Sequence, residues 1–297
     1  MKYQLQNNRL DIFIDARFLR KPLSSFFEEY CISKSTRYRY MMENRILIQN
    51  TPVKQDTRVF QKEDVLTILL PEEDIDWSPS ETPCTVIYEN TFVFVVHKEA
   101  GIPIHTEKQD TNCLNAQVAR WAMDKGYRFP IRPVHRLDVD TTGLLLYSKI
   151  PFFQPWLDQQ LASKKISRKY LAITSGAPLK PHTVFTCNDS IGKDRHRSNV
   201  YRVSPTGKTA STTVEALTYK NGFQLLQCTL LTGRTHQIRV HLSHHEYPIV
   251  NDPLYGHPSK HFLKMGLWAN EITFKDPLTN KKHRIQDIPN KDYSFFE

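Results

Sequence analysis

The sequence predicts an α+β fold in two unequal units, on three observations. Residues 20 to 72 read as a pair of short helices followed by short apolar strands. The stretch from Pro71 to Pro83 is acidic, Pro-bearing and poor in core residues. Beyond Cys84 the apolar residues fall into brief alternating runs, with helical spacing in only two places. The expected organisation is a first unit at 1–75, a linker at 76–83 and a larger unit at 84–297. A chain of 297 residues is long enough for a full-sized core.

In the first unit, residues 1–19 show no clear period, although Asp11 to Asp15 has strand character. From Leu23 onward, Ser24 or Ser25 is placed to cap a helix containing Phe26, Phe27 and Tyr30. Ser33 or Ser35 is placed to cap a second one through Met42. Arg45 to Asn50 alternates around Ile46 and Ile48, Pro52 and Val53 follow a turn, and Asp64 to Leu70 closes with another strand. In the second unit, Val86 to Tyr88 and Phe92 to Val96 form a strand pair joined at Glu89-Asn90. Asn115 to Met123 has helical spacing through Val118 and Trp121, Leu144 to Tyr147 has the length of a buried strand, Pro155 to Leu161 is a helix and Arg168 to Ile173 a strand. Ser211 to Leu217 and Phe223 to Leu231 alternate, and the Asn221-Gly222 between them is a strong hairpin signal. His182 to Arg202 is basic and has too few apolar positions to fold alone, so a hairpin or loop against a phosphate backbone is expected.

The formal net charge of +9 favours a polyanionic partner, nucleic acid first; a basic surface kept for solubility is the plainer alternative. Five scattered cysteines without a C-x-x-C pair indicate neither a disulfide framework nor a zinc site and read as reduced thiols of a cytosolic protein. Met1-Lys2-Tyr3-Gln4 leads into polar sequence, and no apolar run is long enough to span a membrane, so a cytoplasmic location is expected. Ten glycines are about half the average share, and no G-x-G-x-x-G occurs, which argues against a Gly-rich cofactor loop.

The segment Arg132 to Lys149 concentrates chemistry. His135, Arg136 and Asp138 crowd before Thr141-Thr142-Gly143 and the apolar run behind them, which holds a carboxylate in a polar loop against a rigid element. On spacing alone, an Arg-Asp pair tying a loop to the sheet is the more common arrangement. Other chemistries fare worse. Gly207-Lys208-Thr209 fails as a phosphate loop because the required first glycine is Arg202. His236, His241, His244 and His245 lack the second histidine of a metalloprotease helix, since position 249 is Ile249. Asp138 and Asp140 share the spacing of one strand face, as a glycosidase pair would, but no third group or aromatic sugar platform accompanies them.

The combination is more specific than its parts. His135-Arg136-Leu137-Asp138 with Thr141-Thr142-Gly143, Arg168-Lys169-Tyr170, Gly207-Lys208, Leu231 to His241, and Pro248-Ile249 with Asp252-Pro253-Leu254-Tyr255-Gly256 occur in one order. Together they resemble the RluA-type pseudouridine synthases, over about Val86 to Thr273. The resemblance implies a mixed, largely antiparallel sheet flanked by helices, with the active site in a basic cleft. It also implies isomerisation of uridine to pseudouridine in structured RNA, ribosomal RNA first and tRNA second, by a monomer without cofactor or metal. In that family the aspartate matching Asp138 is essential, acting on the sugar or on the base. The arginine matching Arg239 keeps it ionised, and the tyrosine matching Tyr170 stacks on the target base and can assist proton loss at carbon 5. Arg136 enters the space left by the flipped nucleotide. His135, Arg234 and His236 shape the site or touch phosphate. The loop His97-Lys98-Glu99-Ala100-Gly101 departs from the family by lacking a proline. An RNA-binding assembly factor that has lost activity is the alternative, against which intact Asp138, Tyr170 and Arg239 stand. Residues 20 to 72 resemble the alpha-L RNA-binding motif, although Asn44-Arg45 and Asn50-Thr51 stand where that motif has glycines. Lys34, Arg37 and Arg39, around the start of its second helix, are expected to follow an RNA backbone.

Overall fold

Two sheets carry the chain in the computed structural model, which describes residues 1–107, 109–287 and 295–296. The first sheet begins with an antiparallel hairpin of β1 (Lys2–Gln6) and β2 (Arg9–Phe13), followed by helices α1 (Leu23–Glu29) and α2 (Lys34–Met42). Strands β3 (Ile46–Ile48), β4 (Thr51–Pro52) and β5 (Val65–Leu69) complete it in the order β1-β2-β5-β3-β4, all antiparallel. Strand β1 is silent in sequence because neither of its faces is fully buried, and without a buried face there is no alternation to read. Ser33 caps α2, its hydroxyl accepting the Thr36 N–H at 3.2 Å. The expected serine cap of α1 is not formed. Pro22 takes the cap position, and the Ser25 hydroxyl donates to its carbonyl at 2.6 Å.

Residues 71–83 hold no helix or strand. The second sheet then starts with β6 (Thr85–Glu89) and β7 (Val93–Lys98), and after α3 (Leu114–Asp124) continues through β8 (Arg132–Pro133), β9 (Thr142–Ser148), α4 (Gln154–Ala162), β10 (Ser167–Ser175) and β11 (Val184–Cys187). A separate two-stranded ribbon of β12 (Ile191–Lys193) and β13 (Tyr201–Val203) carries the basic stretch at its tip. Next come β14 (Thr212–Lys220), β15 (Phe223–Leu230), α5 (Gln237–His244), β16 (Leu267–Lys275) and β17 (Lys282–Gln286). The strand order is β11-β14-β15-β10-β16-β9-β7-β6, with β17 paired to β16 and β8 to β9. The fold is α+β as expected: its pairings are antiparallel except for β9 and β16, which meet in parallel at Thr142–Trp268 and Gly143–Ala269. All seven residues of β9 are buried, which is why its sequence is a continuous apolar run rather than an alternation.

One apolar cluster continues from the first sheet into the second unit. The Tyr30 ring packs on Phe153 at 5.2 Å between centroids while its hydroxyl donates to the Pro277 carbonyl at 3.0 Å. Tyr40 meets Phe152 at 5.4 Å and Tyr3 meets Phe92 at 4.9 Å. The N-terminal sheet and helices are thus seated on the second unit by an aromatic seam.

The parallel contact depends on Gly143. Its φ is +113°, and an added Cβ would stand 2.3 Å from the Ala269 carbonyl oxygen, a backbone atom that cannot rotate away. Gly222 also has positive φ, +86°, but has open space around it. Gly143→Ala should therefore lower unfolding stability by about 3 kcal/mol or more, combining strain with overpacking, and Gly222→Ala by about 1 kcal/mol. Denaturant midpoints of the two variants check this, and equal losses would show that the close approach is not what makes Gly143 necessary.

Candidate active site

Asp138 lies in the loop between β8 and β9, where the chain turns sharply and the Thr141 N–H donates to the Asp138 carbonyl at 3.1 Å. The turn points Asp138 into a cavity of about 100 Å3 that Asp140 does not line. The two carboxylates therefore do not share a strand face, and the glycosidase-type pairing has no geometric basis. Beneath the loop, Lys98 at the end of β7 is completely buried, and its ammonium donates to the carbonyls of Glu99 at 2.8 Å and Val139 at 2.6 Å. Lys98 thus braces the turn that carries Asp138. It was not singled out from the sequence, where its only signal is a charged residue directly after the apolar run of β7. Burial lowers its pKa to about 8, against the opposing pull of Asp140, Asp138 and Glu99.

Arg239 enters from α5. His236, with left-handed φ of 57°, turns the chain into that helix, which puts Arg239 in its first turn and 3% exposed. Its Nε and Nη2 donate to the two carboxylate oxygens of Asp252, each at 2.8 Å, and its Nη1 donates to Asp138 Oδ2 at 3.3 Å. Burial alone would lower the arginine's pKa, but the hydrogen bonds and charge of Asp252, joined by Asp138, outweigh it and the net shift is upward. Asp252 is in turn held by the N–H groups of Leu254 at 2.9 Å and Tyr255 at 3.2 Å. The guanidinium also lies 5.1 Å from the centre of the Tyr255 ring. The sequence marks Asp252 and Tyr255 only as motif residues; the structure makes them the frame of Arg239.

Tyr170 reaches the cavity from β10, next to an irregularity in pairing at Lys169/Tyr170 that re-aims the side chain. It is 4% exposed, and burial pushes the phenol up, so it stays protonated at neutral pH. Arg136, Arg168, Arg234 and His236 complete the lining. Arg136 and Arg234 are exposed, and the Arg234 Nε donates to the Thr209 carbonyl at 3.0 Å. The Nδ1 of His236 hydrogen-bonds the Tyr255 hydroxyl at 2.8 Å, and that hydroxyl accepts the Tyr201 N–H at 2.8 Å, which ties the β12–β13 ribbon to the site. Burial lowers the His236 pKa against the attraction of Asp138.

Other expected residues fall elsewhere. His135 lies behind the Asp138 loop, outside this cavity. It is 8% exposed, its Nε2 accepts the Leu146 N–H at 3.3 Å, and its pKa is lowered to about 3 by burial and by Arg168. Lys34 and Arg39 are exposed on α2, whereas Arg37 turns inward. Its Nε donates to the Ile32 carbonyl at 2.8 Å and its guanidinium meets Glu28 at 3.8 Å and Asp56 at 3.6 Å, so it braces the helix pair. His241 and His245 both bond Asp189, through its carbonyl at 2.9 Å and its carboxylate at 2.7 Å. Among the described residues no group of three or more His, Cys, Asp or Glu is placed to hold a metal, and no helix is long and apolar enough to cross a membrane.

A mixed sheet that presents one carboxylate, clamped by one buried arginine, on the floor of a basic cleft defines an enzyme acting on a polyanionic substrate. Comparison with known proteins makes the class specific. The sequence profile of the RNA pseudouridylate synthases matches residues 92–244. The chain is 34% identical over 253 residues to an RNA pseudouridine synthase, YhcT, of Bacillus subtilis, covering 84% of this chain and 83% of that protein. It is 34% identical over 238 residues to the ribosomal large subunit pseudouridine synthase D of Xylella fastidiosa, covering 79% of this chain and 70% of that one. The solved structure of human RNA pseudouridylate synthase domain containing 1 has the same fold, with a TM-score of 0.57 at 21% identity over 69% of this chain and 83% of that one. The chain belongs to the RNA pseudouridine synthase family, of the RluA type, and is an isomerase acting on RNA.

The brace under the site is open to test by pH. Because the folded-state pKa of Lys98, about 8, lies below the ordinary 10.5, the unfolded chain binds more protons between those values and wild-type stability should rise with pH across that window. Lys98→Met should lack this contribution. The wild-type-minus-variant difference in unfolding free energy at pH 7.5, 9 and 10 isolates it from other groups; a difference independent of pH would show that Lys98 is not buried as a depressed cation. Single-turnover rates of the variant should fall by about tenfold or more through a loosened Asp138 loop.

Proposed function

We propose that the protein isomerises specific uridines of structured ribosomal RNA, with Asp138 as the catalytic carboxylate, Arg239 as the group that holds it through a charge-assisted contact, and Tyr170 as the platform for the base. The observation that carries this reading is the arrangement of Asp138, Arg239 and Asp252. A buried guanidinium that gives two N–H groups to Asp252 gives another to Asp138, which orients that carboxylate toward the cavity. In the reaction the N1–C1′ bond of uridine breaks, the ring turns, and the C5–C1′ bond forms. C5 loses its proton and N1 gains one, so no external oxidant or group donor enters. Asp138 supplies the negative charge that the reacting nucleotide requires as the glycosidic bond opens. The protonated Tyr170 holds uracil by its ring face while it turns, a contact worth roughly 1–3 kcal/mol per base. Arg136, exposed at the cavity, is placed to enter the gap left by the extruded nucleotide. Arg234 and His236 shape the cavity wall.

The ribosomal target is supported by relatives named large subunit pseudouridine synthase D, and the RNA itself by the net charge of +9. The five cysteines are all free thiols, which suits a reducing compartment and the cytoplasmic location proposed here for a monomeric enzyme. The N-terminal unit contributes affinity through Lys34 and Arg39 on the exposed face of α2, in the manner of the alpha-L motif that residues 20 to 72 resemble.

Tritium release from 5-tritiated uridine in transcribed large-subunit ribosomal RNA tests the reaction. Asp138→Asn should abolish release with RNA binding kept within about threefold, and Asp140→Asn should stay within a few fold of wild type; equal losses would return the paired-carboxylate reading. Lys34→Ala and Arg39→Ala should each lower the log-log salt slope of RNA binding by about one unit without changing the maximal single-turnover rate. Unchanged slopes would make that face merely solvated. Point substitutions are the appropriate probe, because deleting residues 1–75 would strip the aromatic seam off Phe152, Phe153 and Phe92.

A further inference from the structure

Behind the uridine cavity lies a second space of about 440 Å3 that shares a wall with it: Arg136, Arg168 and Arg234 line both. On its far side stand Lys164 and Asp158, from the C-terminal end of α4 and the residues just beyond it, and His135 from the Asp138 loop. Four cations therefore face one carboxylate, and that carboxylate already accepts the Gln154 side-chain amide at 2.8 Å. The guanidinium of Arg168 lies beside Gly233, where an added Cβ would come 3.3 Å from Nη1. Its Nε is nevertheless shielded from solvent with no hydrogen-bond partner. His135 Nδ1 is likewise buried, and it meets the Arg136 backbone, a contact that partly offsets the effect of burial on the ring. Since His135 Nε2 accepts the Leu146 N–H, a neutral ring carries its hydrogen on Nδ1. A space lined by four cations and one already engaged carboxylate carries net positive charge and is complementary to an anionic oxygen.

We propose that this second cavity is a phosphate subsite, taking a phosphodiester of the nucleotide next to the target uridine, with the positive charge of Lys164 and of the arginine wall neutralising it. The proposal rests on the uridine-isomerising reading of the first cavity. It gives the shared arginine wall a double role: one face meets the extruded uridine and the other holds the strand beside it. The register of the RNA against Asp138 is then set by a contact that takes no part in the chemistry. Phosphodiesters are common to every sequence, so this subsite adds affinity and position but no base discrimination.

The test compares the trinucleotide UpUpU with its analogue carrying neutral methylphosphonate linkages, by direct titration. Wild type should bind the charged form about tenfold more tightly. Ala162→Trp, at an exposed helix-end position that lines the cavity, should fill it without disturbing the core and should bind both forms weakly and alike. Lys164→Ala should lower the salt slope of trinucleotide binding by about one unit. In tritium release from ribosomal RNA, both variants should raise KM about tenfold with kcat within twofold of wild type. Equal binding of the two trinucleotides by wild type, or wild-type discrimination by Ala162→Trp, would overturn the subsite. So would unchanged KM in both variants, or a fall in kcat alone. Failure of the wild type to release tritium from any RNA would instead count against the reaction assigned to the first cavity, because the trinucleotide titration reads binding only.

Discussion

The catalytic unit is organised around the desolvation of one arginine. A guanidinium that is 3% exposed must find carboxylates or cost several kcal/mol, and Arg239 finds two. Asp252, itself fully buried, takes the Nε edge with both oxygens, and the far nitrogen, Nη1, is left to meet Asp138. Because both carboxylates answer the same cation, the loop before β9, the first turn of α5 and the turn at Asp252–Gly256 are fixed relative to one another. That turn is tight enough that a Cβ on Gly256 would stand 1.9 Å from the Ile249 carbonyl oxygen. Only the outer member, Asp138, keeps access to the cavity, with its side chain 19% exposed. The inner pair is structural; the outer one is available for chemistry.

Around this clamp the protein divides its buried ionisable groups by charge. Lys98 keeps enough electrostatic support from Asp140, Asp138 and Glu99 to hold a depressed but ordinary titration, while His135 has a cation, Arg168, for a neighbour and is driven neutral. Tyr170, desolvated and near Asp138, is held as the phenol. The carboxylate thus sits near a protonated, buried phenol and under exposed arginines. Such a distribution concentrates negative charge at one point in a positive cleft, as a reaction on a phosphate-bearing nucleotide requires.

The N-terminal unit is attached through packing rather than through its linker. Tyr30, Tyr40 and Tyr3 place their rings against Phe153, Phe152 and Phe92, so the exposed face of α2 is held relative to the catalytic sheet by a common core. Arg37 shows how the same helix divides its basic residues. Its guanidinium is folded inward onto Ile32, Glu28 and Asp56, while Lys34 and Arg39 remain outside.

What the sequence determined by itself is everything whose cause lies within a few residues. The Asn221-Gly222 hairpin, with φ of 50° and 86°, the Ser33 cap of α2, the apolar β9 and the ordered motif that carries Asp138, Tyr170 and Arg239 all follow from local preference or fixed spacing. Tertiary structure alone decided the rest. Helix α5 hides from periodicity because Gln237, Arg239 and His241 are buried among its apolar residues, and β16 because the polar Asn270 and Glu271 interrupt its apolar run. Lys98 looks like a strand-end lysine until the loop 41 residues away lays the Val139 carbonyl over it. Asp138 and Arg239 are 101 positions apart, and although the family resemblance implied their contact, no local pattern in the chain states that they touch. The reason is physical. A buried charge is stabilised by whichever partners the fold brings to it, and that selection is made by the packing of distant strands, not by the identity of neighbouring residues.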